Sequence, residues 1–116
     1  MIKLKRAYEE AEPADGPRYL VDRLWPRGIA KDSLHVEDWL KDVAPSNELR
    51  RRFGHDPRKW NEFRKKYFAE LKATPEAWAP LANAAKKRSI TLVYSAKDAE
   101  HNNAIALAEF LKEPRP

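Results

Sequence analysis

The sequence has no cysteine among its 116 residues. That removes disulfides, thiolate metal ligands and thiol nucleophiles together, and it fits a reducing cytoplasm, the expected location. Nowhere do eighteen apolar residues run together, so no membrane span and no membrane partner is expected. Met1 to Tyr8 alternate apolar and basic side chains and lack the continuous apolar stretch of a secretory signal. Glycine occurs only three times, and the spacing of a P-loop or a dinucleotide fingerprint is missing. The usual zinc and calcium spacings are also missing, and a metal site would need His55 and His101 to converge with a carboxylate. Neither metal nor cofactor is expected.

What is abundant is positive charge. Lys and Arg number 23 against 18 acids, a net charge of +5 that favours anionic partners in general. A chain of 116 residues has room for one hydrophobic core, so residues 1–116 are expected to form one domain.

Ile2-Lys3-Leu4-Lys5 alternates with period two and predicts a half-buried strand with its lysines in water. Glu9 to Pro17, with Ala14-Asp15-Gly16-Pro17, is turn chemistry. Arg18 to Trp25 and Ile90 to Tyr94 are short, β-branched and aromatic, the pattern of strands buried on both faces. Between them, helical stretches are predicted from near Asp32 or Ser33 to Ala44, from Ser46 to Gly54, from Asp56-Pro57 through Leu71, and from Thr74-Pro75 to Arg88. A last helix is expected to be capped by Asp98 and stopped by Pro114. The sum is a small layered α/β domain with a partly parallel three- or four-stranded sheet and about five helices.

In open α/β sheets ligands settle beyond the carboxyl ends of parallel strands. Two such ends carry polar residues: Trp25, Arg27, Gly28 and Lys31 after the first buried strand, and Ser95, Lys97, His101 and Asn102 after the last. If the two strands are parallel neighbours, these loops share one rim suited to phosphate or carboxylate. Asp22 and Arg23 interrupt an apolar run, so each needs a partner or a place at the rim, a structural ion pair being the simplest arrangement. Tyr94 and Ser95 would be the rim's hydroxyls, and His101 the nearest candidate base for one of them. The alternative is that Tyr94 packs and Ser95 bonds backbone. No residue stands out as catalytic. His35 reads as a surface residue, and His55 as a connection residue beside a capping aspartate.

Two rival functions follow from other features. Arg50, Arg51, Arg52, Arg58, Lys59, Arg64, Lys65 and Lys66, interleaved with Phe53, Trp60, Phe63 and Tyr67, would suit nucleic acid if the rings were free to stack bases; at helical spacing they suit a core stripe with a solvated face. A protein-interaction module would instead show an exposed apolar patch near Trp25 or Trp39. Oligomeric state is not legible.

Taken together, RYLVDRLWPRGIAK at 18–31, LKDVAPSNELRRRF at 40–53 and TLVYSAKDAEHNNA at 91–104 resemble the YeaO-like family, the bacterial and archaeal group built on domain of unknown function 488. The resemblance covers nearly the whole chain and implies an α/β fold and no assigned activity. It points to Asp22, Arg23, Trp25, Pro26, Arg27, Gly28 and Lys31, then Ser46, Leu49 and Arg50, then Tyr94, Ser95, Lys97 and Asn102. Distant relatives carry cysteine near the end of the last strand, where this chain has Ser95.

Overall fold

The computed structural model describes residues 1–113. Its centre is the segment richest in β-branched and aromatic residues, Ile90–Tyr94, which forms strand β4 with all five residues buried. A strand buried on both faces belongs inside a parallel sheet. Here β4 pairs in parallel with β1 (Ile2–Arg6) on one side and with β2 (Arg18–Leu20) on the other. A two-residue strand, β3 (Asp38–Trp39), extends the sheet beyond β2, giving the order β1-β4-β2-β3. Every one of these pairings is parallel, where only part of the sheet was expected to be.

Four α-helices are present among the described residues: α1 (Asn47–Phe53), α2 (Trp60–Ala73), α3 (Pro75–Lys87) and α4 (Asn103–Lys112). The start signals act as capping chemistry predicts. Ser46 Oγ accepts from the Leu49 amide at 3.2 Å, and Gly54 ends α1 in the left-handed region at φ 54°. Asp56 Oδ1 accepts from the Arg58 amide at 3.0 Å, although the first turn, Pro57–Lys59, is 3-10 and α2 proper begins at Trp60. Alternation along β4 divides the core. Ile90, Leu92 and Tyr94 join Phe63, Tyr67, Leu71, Leu107 and Phe110 of the helical layer. Val93 faces the opposite side with Leu20, Ala7 and Leu34, packed against Trp25, Ile29, Val36 and Trp39 of the loop after β2.

Several expectations are corrected. The strand expected over Arg18–Trp25 ends at Leu20, because Trp25 and Ile29 leave the ladder to cover the sheet's second face. No helix spans 33–44. Leu34 fills the second cluster, the Leu40 amide donates to Leu20 O at 2.9 Å, and short 3-10 turns at Lys31–Ser33 and Lys41–Val43 flank β3. The β1 lysines do not simply face water: Lys3 Nζ donates to Ala14 O and Lys5 Nζ to Glu12 Oε1, each at 2.6 Å. α4 starts four residues later than expected, at Asn103, with Asn102 as its cap; Asp98 accepts instead from the amides of Glu100 and His101 ahead of the helix. Pro114 lies outside the described residues.

Candidate functional site

Because all strands run the same way, the loops that follow them emerge at one edge. Side chains fasten those loops to one another. Asp22 Oδ2 accepts from both the amide and the hydroxyl of Ser95, at 2.9 and 2.8 Å, which joins the loop after β2 to the loop after β4. Asn103 Nδ2 donates to Val21 O at 3.0 Å. From the end of β1, Arg6 donates to the carbonyls of Ser95 and Ala96, and Tyr8 Oη donates to Arg27 O at 2.9 Å. Arg23 reaches the other way, donating to Pro45 O and Ala44 O at 3.2 and 3.1 Å, and so holds the segment before α1. Neither Asp22 nor Arg23 is in an ion pair among the described residues, the simplest arrangement expected of them; each bonds a different neighbouring loop.

Between these loops and the α1–α2 side lies a cavity of about 640 Å³. Of the residues singled out in the sequence, Asp22, Arg23, Trp25, Arg27, Ser95, Lys97 and Asn102 line it. Gly28, Lys31, Tyr94 and His101 do not. Gly28 sits exposed at φ 82°, a left-handed turn conformation suited to glycine, and Lys31 is exposed in the turn beyond it. Tyr94 is buried, and burial is the main reason its phenol is pushed above its ordinary pKa; the carboxylate of Glu9 adds to the effect. His101 is taken up elsewhere. Its Nδ1 lies 2.9 Å from Asp98 Oδ2, and its ring stands edge-on to Trp60. Asp98 is in turn held below the usual carboxylate range, first by the Glu100 amide and then by the His101 side chain.

The chemistry on offer is a set of cations and amides. Ser95 Oγ is bonded to Asp22 and not to the imidazole of His101, so the hydroxyl–imidazole pair that the sequence left open is not formed. Arg27 and Lys97 line the cavity, and neither makes a side-chain hydrogen bond or an ion pair among the described residues. The first residues of α4 lie at the same wall, where a helix's positive end favours anions. Sequence reasoning missed Arg6, Tyr8 and Asn103 as fasteners, and Arg50 and His55 as lining residues. A third parallel strand ending at the same edge would have pointed to Arg6 and Tyr8.

Comparison with known proteins settles the relationship. The inactive DUF488-N3 subclade matches residues 1–115. YeaO of Escherichia coli K12, an uncharacterized protein, is 46% identical over 111 residues, covering 96% of each chain. This chain belongs to the YeaO-like DUF488 family. The uncharacterized proteins Rv3073c of Mycobacterium tuberculosis H37Rv and Mb3100c of Mycobacterium bovis are each 40% identical over 110 residues, 95% of this chain and 92% of theirs. No solved structure matches.

In this YeaO-like chain the signature stretches act as parts of one edge. VDRLWPRG supplies the pin at Asp22, the clasp at Arg23 and the unpaired Arg27; the Ala44-Pro45 carbonyls receive Arg23; and SAKD supplies Ser95 and Lys97. The basic 50–66 stretch is arranged differently from a stacking platform. Phe53, Phe63 and Tyr67 are buried in the core, while Arg52 pairs with Glu62, Arg58 with Asp56 and Arg64 with Glu109. The indole N–H of Trp25 bonds Ile29 O and that of Trp39 bonds Asp22 O, and both rings are partly buried. Among the described residues no helix is long and apolar enough to cross a membrane.

Proposed function

We propose that this YeaO-like protein binds a small phosphate- or carboxylate-bearing molecule at the carboxyl edge of its sheet. The observation that carries the reading is the position of Arg27 and Lys97. They come from loops after two adjacent parallel strands, line the same cavity and have no protein partner, while their loops are fastened by Tyr8, Arg6 and the Asp22–Ser95 bonds. Cations with free donors, carried on fastened loops, are suited to holding an oxyanion. A cavity of about 640 Å³ also falls in the range of roughly 300–1,000 Å³ typical of small-ligand sites.

Binding without covalent chemistry fits the residues best. The chain has no thiol, its rim serine is bonded to a carboxylate, and the family it belongs to carries the description inactive. Arg23 is assigned here as a positioning residue, since its guanidinium is already bonded to two carbonyls. Lys31 belongs outside the site.

The test is a thermal melt of the protein against a panel of phosphate- and carboxylate-bearing metabolites. A ligand present at a hundred times its Kd adds about 2.7 kcal/mol to the folded state, which is readily seen as a rise in melting temperature. The rise should disappear in Arg27→Ala and in Lys97→Ala, with both variants melting normally alone. If no anion in the panel moves the melt, the reading is wrong.

A further inference from the structure

The walls of this cavity are not those of a site for a bare inorganic anion. Three large hydrophobic side chains are exposed among the described residues: Met1, Tyr8 at 49% and Leu24 at 60%. Two of the three, Tyr8 and Leu24, line this one cavity. Phe53 and Phe63, stacked at 4.5 Å in the core, form another part of its wall, and Trp25 a further part. His55 adds an exposed ring, tilted against Phe53 at a centroid distance of 6.3 Å. Its backbone sits at φ 58°, directly after Gly54 at φ 54°. A non-glycine residue in that region is strained by roughly 1–3 kcal/mol, and such strain is found most often where a side chain must be aimed.

Apolar surface left open to water in a concave site is stabilised when a ligand covers it, and flat aromatic walls favour flat partners. Six charged residues line it: Asp22, Arg23 and Asp98 are already bonded, to Ser95, to the Ala44 and Pro45 carbonyls, and to Glu100 and His101, which leaves Arg27 and Lys97 on the strand side and Arg50 on the α1 side to meet a ligand. Resting on the anion-binding reading above, we infer that the ligand is amphiphilic: a phosphate or carboxylate carried on an apolar, ring-containing body. The anion lies against Arg27 and Lys97. The ring lies against Leu24, Tyr8 and the His55–Phe53 side. The remaining volume, far beyond what one phosphate fills, is occupied by that body.

Isothermal titration with three probes tests this: inorganic phosphate, 1-naphthyl phosphate and 1-naphthol. The aryl phosphate should bind at least about tenfold more tightly than inorganic phosphate, a preference that covering one ring's worth of apolar surface readily provides. Leu24→Ser, at a position 60% exposed and therefore safe for folding, should erase most of that preference while leaving inorganic phosphate unchanged. Equal affinities for the two phosphates, or a Leu24→Ser variant that keeps the preference, overturn the inference and leave the anion site standing. Naphthol binding as tightly as naphthyl phosphate, or no phosphate binding at all, overturns the anion site and the inference together.

Discussion

The bond between Asp22 and Ser95 gives the sharpest test, because stability and binding respond to its loss in ways that separate two roles. In Asp22→Ala the hydroxyl of Ser95 can turn to water, but its partly buried amide loses its acceptor. An unsatisfied buried donor costs about 1–3 kcal/mol, and losing the charge-assisted hydroxyl bond adds to that, so a total of about 2–3 kcal/mol is expected. Asp22→Asn keeps an acceptor oxygen and loses only the charge, for about 1 kcal/mol. A chain of 116 residues has an unfolding entropy near 0.24 kcal/mol/K at roughly 2.1 cal/mol/K per residue. Each kcal/mol therefore moves the melting temperature by about 4 °C, which gives losses of about 8–12 °C for alanine and about 4 °C for asparagine. Differential scanning calorimetry measures both. The binding assay supplies the second axis. If Asp22 pins the two loops, Asp22→Ala weakens binding of an anion even though it deletes a negative charge from the cavity. An alanine variant that melts within about 2 °C of the parent and binds anions more tightly would refute the pin and leave Asp22 as a repulsive charge only.

Two further outcomes follow from other parts of the fold. Gly16 sits at φ 64° and ψ −156°, a region open in practice to glycine alone, and an added Cβ would lie 2.5 Å from Ser89 O. Gly16→Ala should cost at least about 2 kcal/mol in a urea titration with an unchanged slope, and a loss below about 0.5 kcal/mol would contradict the close approach. Asp15 is mostly desolvated, which alone would raise its pKa, yet the Glu12 amide, the Arg18 guanidinium and the Lys5 ammonium together hold it below its ordinary value. Its folded pKa is thus the lower one, so its contribution to stability is complete above the unfolded value of about 3.9 and is lost as pH falls through that value and below it. Melting temperature should drop with acid over that window in the parent, and Asp15→Asn, less stable at neutral pH, should show a shallower drop; parallel curves would show that Asp15 is not responsible.

Much of this fold is legible in the sequence, and the parts that are not have specific physical causes. Segments whose apolar residues serve the element they sit in announce themselves: β4, α1 with Ser46 and Gly54, and α2 with its 60, 63, 67, 71 stripe. The errors arise where apolar residues serve something else. Trp25 and Ile29 are hydrophobic because they roof the second face of the sheet, and Leu24 because it borders the cavity; none belongs to a strand. β3 is two residues long, too short for any period to register. At α4 the capping chemistry is right and its place is wrong, since Asp98 and Asn102 both satisfy free amides and only the second begins the helix. The rim was anticipated from strand ends that carry cations. Its fasteners were not, because Asn103 bonding Val21 across 82 positions, or Arg6 bonding Ser95 across 89, leaves no local trace.

The order β1-β4-β2-β3 places the strand nearest the carboxyl terminus between the two strands nearest the amino terminus. Ile2 faces Ile90, and Arg18 faces Thr91, so β1 and β2 share no ladder except through a partner synthesised some seventy residues after β2. A growing chain therefore carries β1 unjoined to the β2–β3 pair while its first three helices are already complete, and the sheet closes in one late event as residues 90–94 arrive. Arg27 and Lys97 come to line one cavity in that same event, so the cavity comes into being only when the central strand is seated.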